Sequence, residues 1–386
     1  MAPLADITVL EFGHTILGPC CGMLLADLGA NVIKIEPPGG ERTRQLKGFG
    51  TGYFSFYNRN KRSIIVDYKT AEGLADVRAL IATADVLIEN MAPHALERAG
   101  LGPAEVKALN PRLIYCSLKG FLPGPYETRV ALDEVAQMMC GLAYMTGPPG
   151  MPLRAGTSVT DILGGVFGAM GVLAALRERD RDRGRNPDAG GALVESSLFE
   201  TGAFLMGQFM AHHALTGEPV PPMPARVSAW AVYELFDASD GHRVFVGITS
   251  DRHWERFCAE FGRGDLFADD SLATNEQRVD ARARLIPQLA ALFSALPASE
   301  IEMRCVRAGL PFARVAHPED LFDDPHLNAN GSLASTTLPG GVATKLPKLP
   351  IRIDGAAFEL RSDPPAAGQD TRAILDALHR PGTGEA

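Results

Sequence analysis

The sequence predicts an α/β protein, a doubly wound parallel sheet as the large domain with a smaller α+β domain beside it. Three observations carry this. Ile7–Gly13 (ITVLEFG), Pro19–Ala30 and Asn31–Pro38 read as strand, helix and strand within about thirty residues, a βαβ unit that implies parallel pairing. The alternation then repeats as far as Gly120. A chain of 386 residues is also long for one core, so two domains are expected.

The elements follow in order. Gly29 closes the first helix, and Pro37 with Pro38 stops the second strand. A strand over Ser63–Tyr68, a helix over Ala71–Ala84, a strand over Asp85–Asn90, a helix over Ala95–Gly100 and a strand over Leu113–Gly120 continue the pattern. Ala155–Leu176 (AGTSVTDILGGVFGAMGVLAAL) reads as one buried helix with a single charge, Asp161. Gly164, Gly168 and Gly171 fall at i, i+4 and i+7 and form a smooth stripe for close approach by another backbone. A linker over Arg181–Gly191 leads into Ala192–Gly217, a strand entering a long helix. The Pro-rich run Gly217–Trp230 breaks the pattern. Val232–Ile248 then reads as two strands joined at Ser239-Asp240-Gly241, followed by helices over Asp251–Gly262 and Asp280–Leu296. The expected domains are 1–215 (large α/β), 216–230 (linker), 231–312 (small α+β) and 313–386 (a linker and a return to the large domain).

Composition excludes several functions. The net charge is -9 with no long basic run, which argues against nucleic acid as a partner. The six cysteines have neither C-x-x-C pairing nor zinc spacing to histidine, so reduced core thiols and no metal are expected. Asp6 and Glu11 interrupt any signal-peptide pattern, and a cytoplasmic location is expected. The Asp161 helix is long enough for a membrane span, but its glycines dilute its hydrophobicity and a central Asp costs about 2.5–3.5 kcal/mol on insertion, so no membrane partner is expected. Glu36 stands where a dinucleotide fold keeps its ribose-binding acid. The preceding turn, Gly13-His-Thr-Ile-Leu-Gly18, is not G-x-G-x-x-G, and Ile16 and Leu17 would block a pyrophosphate, so neither NAD nor flavin is expected.

An ionised carboxylate in an apolar run needs a reason, because its desolvation costs several kcal/mol. Thr160 or Asp161 as a helix cap is one reading, and Asp161 as a working group the other. Lys69 and Lys119 lie at strand ends, where a phosphorylated ligand would collect. Arg42 and Arg44 are placed in a Gly-rich loop to hold a substrate carboxylate. His14 lies in the first β-to-α turn, as a base or as a satisfied hydrogen-bonding residue.

Pro3–Arg44, followed by YNRNKRSIIVDYKTAEG, DVLIENMAPHALERAGL, NPRLIYCSLKGF and Asp161 after Gly-Thr-Ser, resembles the class III CoA-transferases, the family that includes formyl-CoA transferase. The resemblance runs through nearly the whole chain and weakens after Trp230. It implies acyl-CoA as substrate and an interlocked, ring-like homodimer. It further implies Asp161 as the nucleophile that carries an aspartyl-CoA thioester, and CoA contacts at Thr15, Val66, Lys69, Asn90, Met91, Arg98 and Lys119. Tyr53 would lie near the reacting acyl group. Three departures put formyl and oxalate in doubt as substrates: Pro37 replaces a CoA-binding arginine, Leu122 replaces an acidic residue, and a glycine-rich lid is not evident at Arg226–Trp230.

The expected reaction moves CoA to a small carboxylic acid, with Arg42, Arg44 and Arg154 reading a second carboxylate and succinyl-CoA a frequent donor among such family members. Transfer within one molecule, as on mesaconyl-CoA, stays open. An α-methylacyl-CoA racemase is the main alternative, but Ala131-Leu132-Asp133 carries Leu132 where its histidine base would be. A non-catalytic CoA-binding protein would gain from an apolar residue at position 161.

Overall fold

The computed structural model describes residues 2–183, 190–226 and 228–380. They form two compact units, Met1–Ala225 with Pro325–Ala386, and Arg226–Asp324. The first unit runs β1 (Thr8–Phe12), α1 (Leu17–Asp27), β2 (Asn31–Glu36), α2 (Tyr53–Tyr57), β3 (Lys61–Ile65), α3 (Ala71–Thr83), β4 (Val86–Glu89), α4 (Ala95–Arg98) and α5 (Pro103–Leu109). It continues with β5 (Ile114–Lys119), α6 (Asp133–Met139), α7 (Leu142–Thr146), α8 (Val159–Arg183), β6 (Leu193–Ser197) and α9 (Leu198–Thr216). Of the linker expected over Arg181–Gly191, residues 184–189 lie outside the described residues.

All six strands pair in parallel, in the order β3-β2-β1-β4-β5-β6. A parallel sheet needs cover on both faces, and the period-two alternation of its strands supplies it. In β1, Val9 faces the core made with α1 and α8, whereas Leu10 and Phe12 face the core under α3 and α5.

The glycines of α8 sit at its contacts. A Cβ on Gly165 would stand 2.9 Å from the Leu17 carbonyl oxygen and 3.1 Å from the Cys21 amide nitrogen. One on Gly168 or Gly171 would stand 2.6 Å from Leu118 or Val194. Of the stripe read from the sequence, Gly168 and Gly171 let α8 lie against side chains of β5 and β6, while the close backbone approach to α1 falls at Gly165, outside it. Val159–Arg181 is long and apolar enough to cross a membrane by length and composition, and here it is a packed element of the first unit.

The second unit contains β7 (Val232–Asp237), β8 (Arg243–Ile248), α10 (Asp251–Glu260), α11 (Gly264–Phe267), α12 (Asn275–Asp280), α13 (Arg282–Ser294), α14 (Ala298–Ala308) and β9 (Phe312–Arg314). The expected hairpin pairs Asp237 with Arg243, and β9 adds to β8. Trp254, Phe257 and Phe293 fill the core of this unit.

The chain then contributes α15 (Pro325–Ala329), a hairpin of β10 (Leu333–Leu338) and β11 (Val342–Pro347), two short strands β12 (Arg352–Ile353) and β13 (Ala356–Ala357), and α16 (Thr371–Leu378) to the first unit. The start of α16 closes the outer edge of β3. Asp370 Oδ2 accepts from the Ser63 amide at 2.9 Å, Thr371 Oγ1 from the Ile65 amide at 2.9 Å, and the Asp370 amide donates to the Ser63 carbonyl at 2.8 Å. An edge so occupied cannot recruit a foreign strand.

Candidate active site

Open α/β sheets bind ligands beyond the carboxyl ends of the strands, where the strand order reverses. Here that point lies between β1 and β4, and Asn90 spans it. Its side chain accepts from the His14 amide at 2.9 Å and donates to the His14 carbonyl at 3.0 Å. Gly18 makes room, since a Cβ there would stand 2.6 Å from Asn90 Oδ1. Thr15 has φ +63°, a conformation that costs a residue with a Cβ about 1–3 kcal/mol. Glu41 Oε1 and Thr43 Oγ1 hold it there, accepting from its amide at 2.9 and 3.1 Å. The exposed His14 imidazole lies 2.9 Å from Thr15 Oγ1 through Nδ1, a satisfied ring at the rim.

Beneath this loop lies a buried group of four charges. Glu11, in β1, is flanked by Lys34 Nζ at 3.0 Å and Lys61 Nζ at 2.6 Å, and Lys34 also meets Glu41 at 2.8 Å. Lys34 donates to the Gly13 carbonyl at 2.7 Å, and Lys61 to the Pro19 carbonyl at 2.8 Å. The two ammonium groups thus grip both ends of the β1–α1 loop. Burial alone would raise the Glu11 pKa, but the two lysines outweigh it and hold the carboxylate below its usual range. For Lys61 burial wins, and its pKa falls to about 8.

Glu36 is fully buried and committed to the protein itself. It takes Arg44 Nε at 2.7 Å and Nη2 at 2.5 Å, Ser63 Oγ at 2.5 Å and the Glu41 amide at 2.8 Å. Arg44 also donates to the Pro365 carbonyl at 2.9 Å and stacks over Phe54. Its guanidinium is therefore a structural clamp, not the free carboxylate reader expected from its loop position. Arg42 is exposed and makes no ion pair among the described residues.

The residues that the resemblance marks for CoA lie on one rim, at or beyond the carboxyl ends of β1, β3, β4 and β5. Thr15 and Asn90 frame the reversal point. Val66 is buried, whereas Lys69 is exposed, with its amide 3.1 Å from Asp67 Oδ1. The Met91 amide donates to Glu89 Oε2 at 2.9 Å, and Arg98 donates to the Pro93 carbonyl at 3.3 Å. Lys119 is engaged: its Nζ lies 2.6 Å from Glu89 Oε2 and donates to the Met91 carbonyl at 2.9 Å. These two contacts order the β4 loop and fix the ammonium at the rim, with its side chain still partly exposed.

Asp161 sits in the first turn of α8. Neither it nor Thr160 caps that helix. The cap comes from Asp133 in α6, whose Oδ1 accepts from the Thr160 amide at 2.9 Å, from Thr160 Oγ1 at 2.7 Å and from the Asp161 amide at 3.4 Å. Relieved of that duty, the Asp161 carboxylate receives no hydrogen bond from any described residue. Burial first, and the Asp133 charge second, raise its pKa to about 7 against the opposing pull of Arg154. Arg154 is itself paired with Asp133 at 3.1 Å and Glu134 at 3.0 Å. It belongs to the charge balance of the nucleophile candidate and is not free for a substrate. Gln137 completes the support, donating to Asp133 Oδ2 at 2.6 Å and accepting from the Ala155 amide at 2.8 Å. Cys20, Tyr57 and Ile16 pack together, with Tyr53 and Ile162 at the margin. Burial raises the Cys20 pKa to about 12, so the thiol stays neutral. Sequence reasoning missed Asp133 and Gln137 as supports; their i, i+4 spacing on one helix face was the available signal.

The candidate site therefore sets an unpaired carboxylate at the amino end of a core helix, on a doubly wound sheet without a dinucleotide turn. The chain belongs to CoA-transferase family III, whose model matches residues 4–371, and it is therefore a CoA-transferring enzyme. It is 32% identical to succinyl-CoA–D-citramalate CoA-transferase of Chloroflexus aurantiacus, over 97% of this chain and 94% of that protein. It is also 32% identical to succinyl-CoA:mesaconate CoA-transferase of Haloarcula hispanica, over 98% and 95%. A CaiB/BaiF family protein from Brucella suis has the same fold, with a TM-score of 0.87, 31% identity and coverage of 98% of this chain and 99% of that one.

Proposed function

We propose that this enzyme transfers CoA from succinyl-CoA to a small dicarboxylic acid, with Asp161 as the covalent carrier. The observation that carries the reading is the Asp161 carboxylate itself: partly buried, without a hydrogen-bond donor, and on a helix capped by another residue. Such an anion is poorly solvated and correspondingly nucleophilic. Asp161 attacks the thioester carbonyl of the donor, the C–S bond breaks, and CoA thiolate leaves behind a mixed anhydride. The thiolate attacks the Asp161 carbonyl and expels the donor acid, which gives an aspartyl-CoA thioester. The acceptor carboxylate attacks that thioester in turn, and the released thiolate completes the exchange at the acceptor acyl carbon. A thiol of pKa about 8.5 is an acceptable leaving group at each step.

The names of the similar enzymes support a dicarboxylate acceptor, as does the exposed Arg42, the one arginine of the expected three without an ion pair among the described residues. The test is a panel of oxalate, succinate derivatives, mesaconate, citramalate and glutarate with succinyl-CoA; activity with monocarboxylates alone sinks the dicarboxylate reading. The racemase reading gains no support, because Leu132 is an exposed hydrocarbon and takes no proton.

We also infer a homodimer of interlocked subunits. Met170 on α8 and Phe204, Met210 and Leu215 on α9 are more than half exposed, an apolar surface that a second copy of the chain would cover. Light scattering that gives one-chain mass at assay concentration excludes it.

Ionisation of Asp161 sets the acid limb of activity. Because the carboxylate is the reacting form, kcat/KM is expected to fall below pH 7, close to tenfold per unit well under the midpoint. Asp133→Asn keeps the capping oxygen but removes a repelling charge, so this midpoint moves down by about 1 pH unit. A pH–rate profile with an unmoved midpoint would show that Asp133 does not tune Asp161.

A further inference from the structure

Helix α2 is fixed by two stacked arginines. The Arg44 guanidinium lies 3.7 Å from the Phe54 ring centroid and that of Arg59 lies 5.1 Å from Phe56. Both are anchored in turn, Arg44 by Glu36 and Arg59 by Asp27 at 2.7 Å. Tyr53 and Tyr57, spaced i and i+4, share another face of the helix. That face meets α1, where Tyr57 packs on Ile16, Cys20 and Met23 with Ile162 at the margin. Cys20 Sγ lies 3.6 Å from the Ile162 carbonyl, so this cluster adjoins the residue that follows Asp161.

The Tyr57 side chain is buried, yet its hydroxyl has no hydrogen-bond partner among the described residues. Tyr115, also buried, donates to the Leu101 carbonyl at 3.3 Å. The Tyr57 ring is buried but its hydroxyl is not sealed off among the described residues, so it is open to solvent and can donate to a ligand oxygen that replaces a water there.

We propose that Tyr57 is a further catalytic residue, whose hydroxyl donates a hydrogen bond to the carbonyl oxygen of the acyl group attached to Asp161 and to the oxyanion formed from it. The bond strengthens as negative charge collects on that oxygen at each tetrahedral stage, and no proton is transferred. Burial, with the Asp161 charge beside it, raises the Tyr57 pKa, so the phenol keeps its proton throughout the working range. This proposal rests on the reading of Asp161 as the acyl carrier.

The test uses the full-length protein, Tyr57→Phe and Asp161→Asn, in exchange of labelled CoA into succinyl-CoA, which needs no acceptor acid. Tyr57→Phe is expected to lower the exchange kcat by about 10²-fold, with KM for succinyl-CoA held within about twofold and Tm unchanged. Exchange at the wild-type rate overturns the proposal, and so does a lowered Tm, which would make the hydroxyl structural. If Asp161→Asn exchanges normally, or the unsubstituted protein exchanges no label, the Asp161 reading fails instead. An inactive Asp161→Asn beside a fully active Tyr57→Phe removes Tyr57 alone.

Discussion

Asp161→Asn is expected to abolish CoA transfer and at the same time to stabilise the protein above pH 7. Loss of a covalent carrier lowers kcat on the order of 10³-fold or more, because an amide neither attacks a thioester nor holds an acyl group. The stability gain follows from the shift in pKa from 3.8 to about 7. An acid whose folded pKa lies above its unfolded value favours the protonated form in the native state. The stability this carries is complete below pH 3.8 and is lost as pH rises through about 7. At pH 8 the native enzyme therefore bears the cost of an ionised, poorly solvated carboxylate, at most about 4 kcal/mol. Asparagine removes that cost, so the difference in Tm between the two proteins should be large at pH 8 and small at pH 4. A Tm difference that does not change with pH contradicts the assignment of Asp161 as the strained anion.

Glu11→Met is expected to be the most destabilising substitution beneath the candidate site. Among the described residues it leaves Lys61 with no carboxylate within ion-pair distance and Lys34 with only Glu41. Removing one partner of a buried ion pair costs about 3–5 kcal/mol, a large share of the roughly 5–15 kcal/mol that holds a domain folded. The acid dependence has a definite sign. The folded pKa of Glu11 is depressed, so its contribution is present above the ordinary carboxylate range and is lost as pH falls through the depressed value. Denaturant unfolding at neutral pH measures the loss. The double substitution Glu11→Met with Lys61→Met should recover part of it, since both charges then leave together. If the double variant is as unstable as the sum of the single ones, the two side chains do not interact as an ion pair. Gly22 belongs to the same design: a Cβ there would stand 1.9 Å from Glu11 Oε2, so α1 can lie over this carboxylate only with glycine at that position.

The sheet was legible because its strands are apolar runs with turn residues at each end, and parallel order follows from the βαβ spacing. The short helices α2, α6 and α7, of five to seven residues, carry no such signal. Pieces of that length are not stable alone and take their shape from what they pack against. Nothing local marks the charges inside apolar strands, Glu11 in TVLEF and Lys34 in NVIKIE, as partners of each other.

The same holds for the arginines. Arg42, Arg44 and Arg154 look alike in sequence, as cations near glycine or turn residues. Folding turns Arg44 onto Glu36 and Arg154 onto Asp133, and leaves Arg42 exposed. No spacing rule separates them, because the partner of Arg154 comes from a helix 21 residues earlier and the Pro365 carbonyl that holds Arg44 lies 321 residues away.

By itself the sequence determined the family, the alternating α/β architecture and the one acid in an apolar helix that needed a reason. Each of these is written in local composition and in periods of two or 3.6 residues. The tertiary structure alone decided what that acid is like. Asp133, 28 residues away, takes the helix cap and lends its charge, while partial burial strips the carboxylate of solvent. A pKa is a property of the surroundings in three dimensions, and only the fold brings those surroundings together.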